Sequence, residues 1–138
     1  MKLIQRIGLA LLFLLATGPA VALDKSKPLL CAIIDVNECV DGAGCREVLP
    51  EDVDVPTFFW INLKKEEIGI SKDGETEEID HVEDIEGRTV LQGADPGSAD
   101  LADGSGWTIS IEDDTGRMTS TAITRQAAVV IFGTCTEY

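Results

Sequence analysis

Hydrophobic residues follow two different patterns along this chain. Residues 7–16 form a continuous apolar run interrupted only by Gly8, after a start that carries two basic residues. Residues 57–63 and 107–111 alternate instead, so that every second residue is a large apolar one. A period of two is that of a β-strand with one buried face. The first pattern therefore predicts a targeting segment, and the second predicts a β-sheet domain.

The continuous apolar run has the features of a secretory signal peptide. Basic residues precede it, and Ala20-Val21-Ala22 supplies the small residues of an export cleavage site. The run is shorter than the roughly 20 apolar residues that a membrane-spanning helix requires. We predict that residues 1–22 are a signal peptide and that residues 23–138 fold as a single domain. This domain is expected to be periplasmic or secreted, with no membrane span after the signal peptide is cleaved.

Four cysteines remain in the predicted mature chain: Cys31, Cys39, Cys45 and Cys135. An even number of cysteines in an oxidising compartment predicts disulfide bonds. The segment from Cys39 to Cys45 contains two glycines and can turn back on itself, so we pair these two residues. Cys31 and Cys135 are then left to pair, near the two ends of the mature chain and within apolar runs. The CxxC spacing that is typical of zinc and redox sites does not occur.

The mature chain contains a series of short strand patterns and no helical pattern of useful length. The predicted strands cover residues 29–36, 57–63, 67–70, 76–85, 88–92, 107–111, 117–123 and 128–135. Consecutive strands joined by tight turns usually pair as antiparallel neighbours, and closing such a sheet removes its exposed edges. We therefore predict an all-β fold, a single antiparallel meander of about eight strands. It forms a small up-and-down β-barrel (lipocalin-like) or a half-open clam, in which the Cys31–Cys135 bond joins the first strand to the last. A two-sheet β-sandwich is the alternative.

The charge balance limits the classes of partner. The chain has 25 acidic and 11 basic residues, and loss of residues 1–22 removes two basic residues and no acid, which leaves a net charge of −16. Such a charge repels nucleic acid and anionic membrane surfaces. It favours a non-enzymatic binding or interaction protein whose acidic surface contacts a cationic protein or a component of the cell envelope.

Candidate catalytic and metal-binding residues are few. His81 is the only histidine, and the chain lacks the nucleophile elbow, the HExxH motif and the phosphate-binding loop. We expect no enzyme activity and no cofactor, and a carboxylate-based hydrolase is the least favoured function. Asp95, Asp100 and Asp103 lie in a Gly-rich segment, residues 93–106, and are candidate calcium ligands because calcium binds several oxygen atoms at once.

Three aromatic residues, Phe58, Trp60 and Trp107, are candidates for contact with a ligand or partner. Phe58 and Trp60 have the opposite parity to Phe59 and Ile61, so one of the two sets is expected outside the main core. An exposed aromatic pair among acidic residues is typical of a contact patch. In the alternative function, a carrier of a small apolar ligand, the aromatic side chains line the interior of the barrel.

Several short segments of the mature chain, taken together, resemble the sequences of a known group of proteins. They are Leu30-Cys31-Ala32-Ile33, Glu38-Cys39, Gly44-Cys45, Val48-Leu49-Pro50-Glu51-Asp52-Val53, Pro56-Thr57-Phe58 and Phe132-Gly133-Thr134-Cys135. This set resembles a group of small exported four-cysteine proteins of Gram-negative bacteria that has no assigned activity. The resemblance implies export and a four-cysteine framework, and it identifies no catalytic or binding residue.

A second resemblance is to small periplasmic lysozyme inhibitors, which are similar in size, β-barrel character and cysteine bridging. Their characteristic Ser-Gly segment followed by an aromatic residue does not occur in full here, and Ser105-Gly106-Trp107 resembles it only in part. Their Trp-Lys-Gly stretch does not occur here. A lysozyme-inhibitor-like protein is therefore a further alternative for the function.

Overall fold

The computed structural model describes residues 22–71, 73–97 and 104–138, which form strands almost throughout. The strands are β1 (Leu29–Val40), β2 (Gly44–Glu47), β3 (Phe58–Asn62), β4 (Glu67–Gly69), β5 (Thr76–Glu78), β6 (His81–Ile85), β7 (Arg88–Asp95), β8 (Ser105–Glu112), β9 (Arg117–Ile123) and β10 (Ala127–Glu137). A single 3-10 turn, Pro50–Val53, lies between β2 and β3. The predicted all-β fold class is confirmed.

All of these strands belong to one antiparallel sheet. The strand order is β5-β4-β3-β1-β10-β9-β8-β7-β6, and β2 pairs only with β1. Neighbours in the sheet are therefore neighbours in the chain, except where β1 pairs with β10 and with β3. This is an up-and-down meander whose first and last strands meet, curled into a half-barrel that is open between β5 and β6. The half-open form of the prediction is confirmed, and the two-sheet sandwich is not formed.

Several strands are longer than predicted, and the pattern of strands itself differs from the prediction at two places. The predicted loop between Cys39 and Cys45 is instead a hairpin, because β1 continues to Val40 and pairs with β2. The predicted strand over residues 76–85 is divided into β5 and β6, which are the two edges of the sheet. Ile79 lies between them; its amide donates a hydrogen bond of 2.7 Å to the carbonyl of Glu66, and its side chain is buried. Burial of this side chain therefore anchors the chain where it passes from one edge of the sheet to the other.

The hydrophobic core covers the inner face of the curled sheet. Alternate residues of β8, β9 and β10 contribute to it, as the alternation predicts. The buried apolar residues are Leu29, Cys31, Val36, Phe59, Ile61, Ile79, Leu91, Ile109, Ile111, Met118, Val129, Ile131 and Cys135. A β-bulge between Ile33 and Asp35 shifts the parity of β1, so that Val36 returns to the core while Ile34 points outward.

Both predicted disulfide bonds are present, and each joins two directly paired residues of neighbouring strands. Cys31 in β1 is bonded to Cys135 in β10 across a sequence separation of 104, and these residues are only 0% and 4% exposed. Cys39 is bonded to Cys45 in the β1–β2 hairpin, at the surface. The first bond therefore joins the two ends of the meander within the core.

The segment before β1 is attached to the end of the half-barrel. The amide of Leu23 donates to the carbonyl of Asp113 at 2.7 Å, and the Leu23 side chain packs against the core. The ammonium group of Lys25 lies 2.5 Å from Asp84 and 2.9 Å from Asp113. The hydroxyl of Thr89, which has one hydrogen to donate, lies 2.8 Å from Asp113 and 3.1 Å from Asp84. These contacts order the start of the domain; the predicted signal peptide, apart from its last residue, lies outside the described residues.

Within the described ranges, no helix has the length and apolar character that a transmembrane helix requires.

Candidate functional site

One surface of interest is formed by the segment that contains both edges of the sheet. Between residues 66 and 86 the chain carries ten acidic residues and one lysine, Lys72. This segment includes β4, β5 and β6, and the side chains of β5 are exposed throughout. We call these ten carboxylates the acidic edge. Their position follows from the topology, because the chain passes directly from one edge strand to the other.

Few of the carboxylates in the acidic edge have a basic neighbour. Among the described residues, Glu67 lies 3.9 Å from Lys65, and Glu83 lies 3.5 Å from His81. Asp84 forms the contact with Lys25 already described, and this hydrogen bond lowers the pKa of the Asp84 carboxyl, with a further contribution from Thr89 and some opposition from burial. The remaining acidic side chains leave a strongly negative surface along both free edges.

A second surface lies on the outer face of the sheet, opposite the core. A groove of about 730 Å³ crosses β8, β9 and β10 and reaches the bulge of β1. We call it the outer groove. Four hydroxyl side chains line it in two cross-strand pairs: Thr108 is paired with Thr121, and Ser110 with Thr119. The alternation that buries the isoleucines of β8 places these hydroxyl groups outside.

Charged side chains line one end of the outer groove. Glu112 lies between Arg88 and Arg117, with nitrogen–oxygen distances of 3.6 and 3.8 Å. The hydroxyl of Thr115 donates to Glu112 at 2.9 Å. Asp35 is a further charged residue of the lining. The groove therefore contains two guanidinium groups and two carboxylates, which makes its formal charge zero.

Apolar side chains complete the lining of the outer groove near β1. Ile34 is 72% exposed because the bulge turns it outward, and Phe132 is 43% exposed. The next residue, Gly133, has its backbone against Ala32, and a Cβ at this position would overlap the Ala32 carbonyl oxygen. The close approach of β1 to β10 therefore requires glycine here.

The three aromatic residues singled out from the sequence lie on two different faces. Phe58 is 51% exposed and Trp60 is half-buried on the outer face, where the Trp60 ring makes an edge-on contact with Tyr138 at a centroid distance of 4.4 Å. Trp107 packs instead against the core. Phe58 and Trp60 are not among the buried core residues, but the three rings do not form one patch, and their contact with a ligand or partner stays a prediction.

The candidate calcium ligands are only partly within the described residues. Asp95 accepts a hydrogen bond of 2.8 Å from the amide of Gly97, which closes a tight turn. Asp100 and Asp103 lie outside the described residues. Over the ranges that the structure describes, no cluster of three metal-ligating side chains is found. Calcium binding therefore stays a prediction.

The residues of the outer groove were not identified from the sequence. The hydroxyl positions of β8 and β9 alternate visibly with apolar ones, so this part of the lining had a local signal. No local sequence signal indicates the outward position of Ile34, because this position depends on the bulge. The approach of Arg88 and Arg117 to Glu112 depends on the register of three strands.

In comparisons with known proteins, no family model, no curated protein and no solved structure matches the chain. The two disulfide bonds fit an oxidising compartment outside the cytoplasm. The buried apolar side chains lie on the inner face, and the groove described here lies on the opposite face. The acidic edge and the outer groove are two surfaces of the described residues on which a function can be argued.

Proposed function

We propose that this is an exported, non-enzymatic binding protein that recognises a cationic protein partner through the acidic edge. The observation that carries the proposal is the placement of ten carboxylates on and beside the two free edges of an open half-barrel. Electrostatic complementarity of this kind raises the rate of association and weakens as salt is added. The two disulfides support an exported protein, with the periplasm or the extracellular space as the expected location.

The edges also define the kind of segment that fits. An edge strand has main-chain donors and acceptors that can pair with an added strand, while its side chains select the sequence. In β5 the residues Thr76, Glu77 and Glu78 are all exposed. A partner segment with lysine or arginine facing these carboxylates would gain main-chain hydrogen bonds and charge pairs together.

The test is a comparison of two charge variants as bait for basic proteins. The edge variant carries Glu75→Gln, Glu77→Gln and Glu78→Gln; the control variant carries Glu47→Gln, Glu51→Gln and Asp114→Asn, which removes the same charge at other exposed positions. Proteins captured from periplasmic extract are identified and purified, and their association rates are measured at about 20 mM and about 300 mM salt. A purified lysozyme is included, because the weaker resemblance makes it one cationic candidate.

We expect a basic partner that associates faster at low salt with the wild type and the control variant, and at least about tenfold more slowly with the edge variant. Capture of no basic protein at either salt concentration would contradict the proposal. Equal association rates for the edge and control variants would assign the effect to overall charge and would also contradict it.

A further inference from the structure

The outer groove differs from the rest of the domain in its charge. Its two arginines balance Asp35 and Glu112, whereas acidic residues greatly outnumber basic ones in the remainder of the mature chain. A charged ligand of either sign therefore finds no net attraction from the groove lining itself. An anionic ligand is in addition repelled by the rest of the molecule, and a cationic ligand is attracted more strongly to the acidic edge, where few carboxylates have a basic neighbour, than to this balanced lining. The groove favours a neutral ligand.

The hydroxyl groups indicate what a neutral ligand should present. A hydroxyl group both donates and accepts hydrogen bonds, so paired threonine and serine side chains complement a ligand that also has many hydroxyl groups. Arg117 adds donors in a planar arrangement, and Glu112, 3.8 Å away, adds an acceptor. Phe132 and Ile34 offer apolar surface at the other side of the same groove.

A groove of about 730 Å³ falls in the size range of small-molecule sites. A second copy of the chain fits it poorly, because a two-fold contact would set one groove against the same groove and leave a void. An added β-strand is also disfavoured, because β8, β9 and β10 each have paired neighbours on both sides. A small polyhydroxylated molecule with an apolar face fits the size of the groove and complements both its hydroxyl groups and its apolar side.

We propose that the outer groove binds a neutral oligosaccharide, with an apolar face of a sugar ring on Phe132 and sugar hydroxyl groups on the threonines of β8 and β9. Arg117 and Glu112 hydrogen-bond the ring at the charged end of the groove. The site is separate from the acidic edge, and its binding is expected to be insensitive to salt. Failure of one proposal is therefore distinguishable from failure of the other.

The test uses the full mature chain and three neutral probes: maltotriose, cellotriose and tri-N-acetylchitotriose. Amide chemical shifts are followed by NMR as each trisaccharide is added to about 20 mM, above the millimolar dissociation constants expected of a weak site. We expect at least one probe to shift the amides of Thr119 and Phe132, with the same affinity at low and high salt. No shift with any of the three, or shifts confined to other parts of the domain, would overturn the proposal.

Matched phenylalanine variants show whether the groove itself is the site. Phe132→Ala is expected to weaken binding at least about tenfold, whereas Phe58→Ala, at an exposed phenylalanine that does not line the groove, is expected to change it less than about twofold. Thr119→Val keeps the branched shape of the side chain and replaces the hydroxyl group with a methyl group, so it provides a second test if Phe132→Ala does not fold. Wild-type affinity in a folded groove variant would overturn the proposal.

Discussion

Trp107 in β8 lies over Gly93, its directly paired neighbour in β7, so closely that a Cβ on Gly93 would overlap the indole ring. The Trp107 ring therefore occupies the space that a side chain at position 93 would need. This contact explains why a glycine is kept inside a strand, where it otherwise costs stability.

Gly93→Ala is expected to destabilise the domain by about 1–3 kcal/mol, because the indole must move within a packed layer. The matched control is Gly106→Ala in β8, where a Cβ meets no atom within 4 Å. Thermal unfolding followed by tryptophan fluorescence measures both variants. An unfolding midpoint for Gly93→Ala that equals that of Gly106→Ala would show that the ring is not held against the glycine.

The two disulfide bonds are expected to respond differently to a reductant. Cys31 and Cys135 are buried, whereas Cys45 is exposed in a short edge hairpin. Under mild reduction, the Cys39–Cys45 bond should open first, because a thiolate must reach a sulfur atom to exchange with it. Alkylation and peptide mass mapping over time would give the order, and simultaneous loss of both bonds would contradict the prediction.

Removal of the core disulfide is expected to cost more stability than removal of the hairpin disulfide. In the chain-entropy account, a loop of 104 residues contributes up to about 4–5 kcal/mol, and the six-residue loop contributes about 2 kcal/mol. Serine pairs at Cys31 and Cys135, and separately at Cys39 and Cys45, can be compared by urea unfolding. Similar free energies of unfolding for the two double variants would contradict the assignment of the first bond as the main covalent constraint.

Ile79 is expected to be a major contributor to stability at the open side of the half-barrel. It is 1% exposed and lies between the two edge strands, whereas Ile70 in the preceding turn is 70% exposed. Ile79→Ala should lower the free energy of unfolding by about 2–5 kcal/mol, and Ile70→Ala should change it little. Urea unfolding distinguishes the two outcomes. A small effect at Ile79 would mean that its burial is not needed to hold the edges.

The contact of Lys25 with Asp84 is expected to make part of the stability depend on acid pH. Burial lowers the pKa of Lys25, but hydrogen bonds to Asp84 and Asp113 outweigh it and raise that pKa, while the pKa of Asp84 is lowered. A lowered folded-state pKa stabilises the fold above the ordinary aspartate value of about 4, and this contribution disappears as the pH falls through the folded-state value. Because Asp84 is largely exposed, we expect about 0.5–1 kcal/mol.

Lys25→Met tests this contact, with Arg125→Met as a control that removes one positive charge at an exposed turn. At pH 7 the Lys25 variant should be the less stable of the two, and the difference should shrink as the pH falls below about 4. Thermal unfolding across this range gives the result. A difference that stays constant with pH would show that the Lys25 contact does not act through Asp84.

The alternation of apolar residues was sufficient to predict the sheet, since residues such as Ile109 and Ile111 have one buried face in common. The pairing of Cys31 with Cys135 was also predictable, because the short glycine-containing segment pairs Cys39 with Cys45 and leaves these two residues, near the two ends of the mature chain. The outward orientation of Ile34 was not predictable, because this residue lies in a nearly continuous apolar run that has no alternation to reveal a bulge. The groove depends on strand register, which no local pattern specifies.

The free edges of the half-barrel have a consequence for the protein in acid. Each edge strand has the unpaired backbone groups onto which another molecule could extend the same sheet, and charged side chains are a common protection against such stacking. Here that protection consists of carboxylates, which lose their charge once the medium is acidic enough to protonate them. A folded molecule would then have two compatible ends that have lost this negative charge, and successive copies could join into linear polymers.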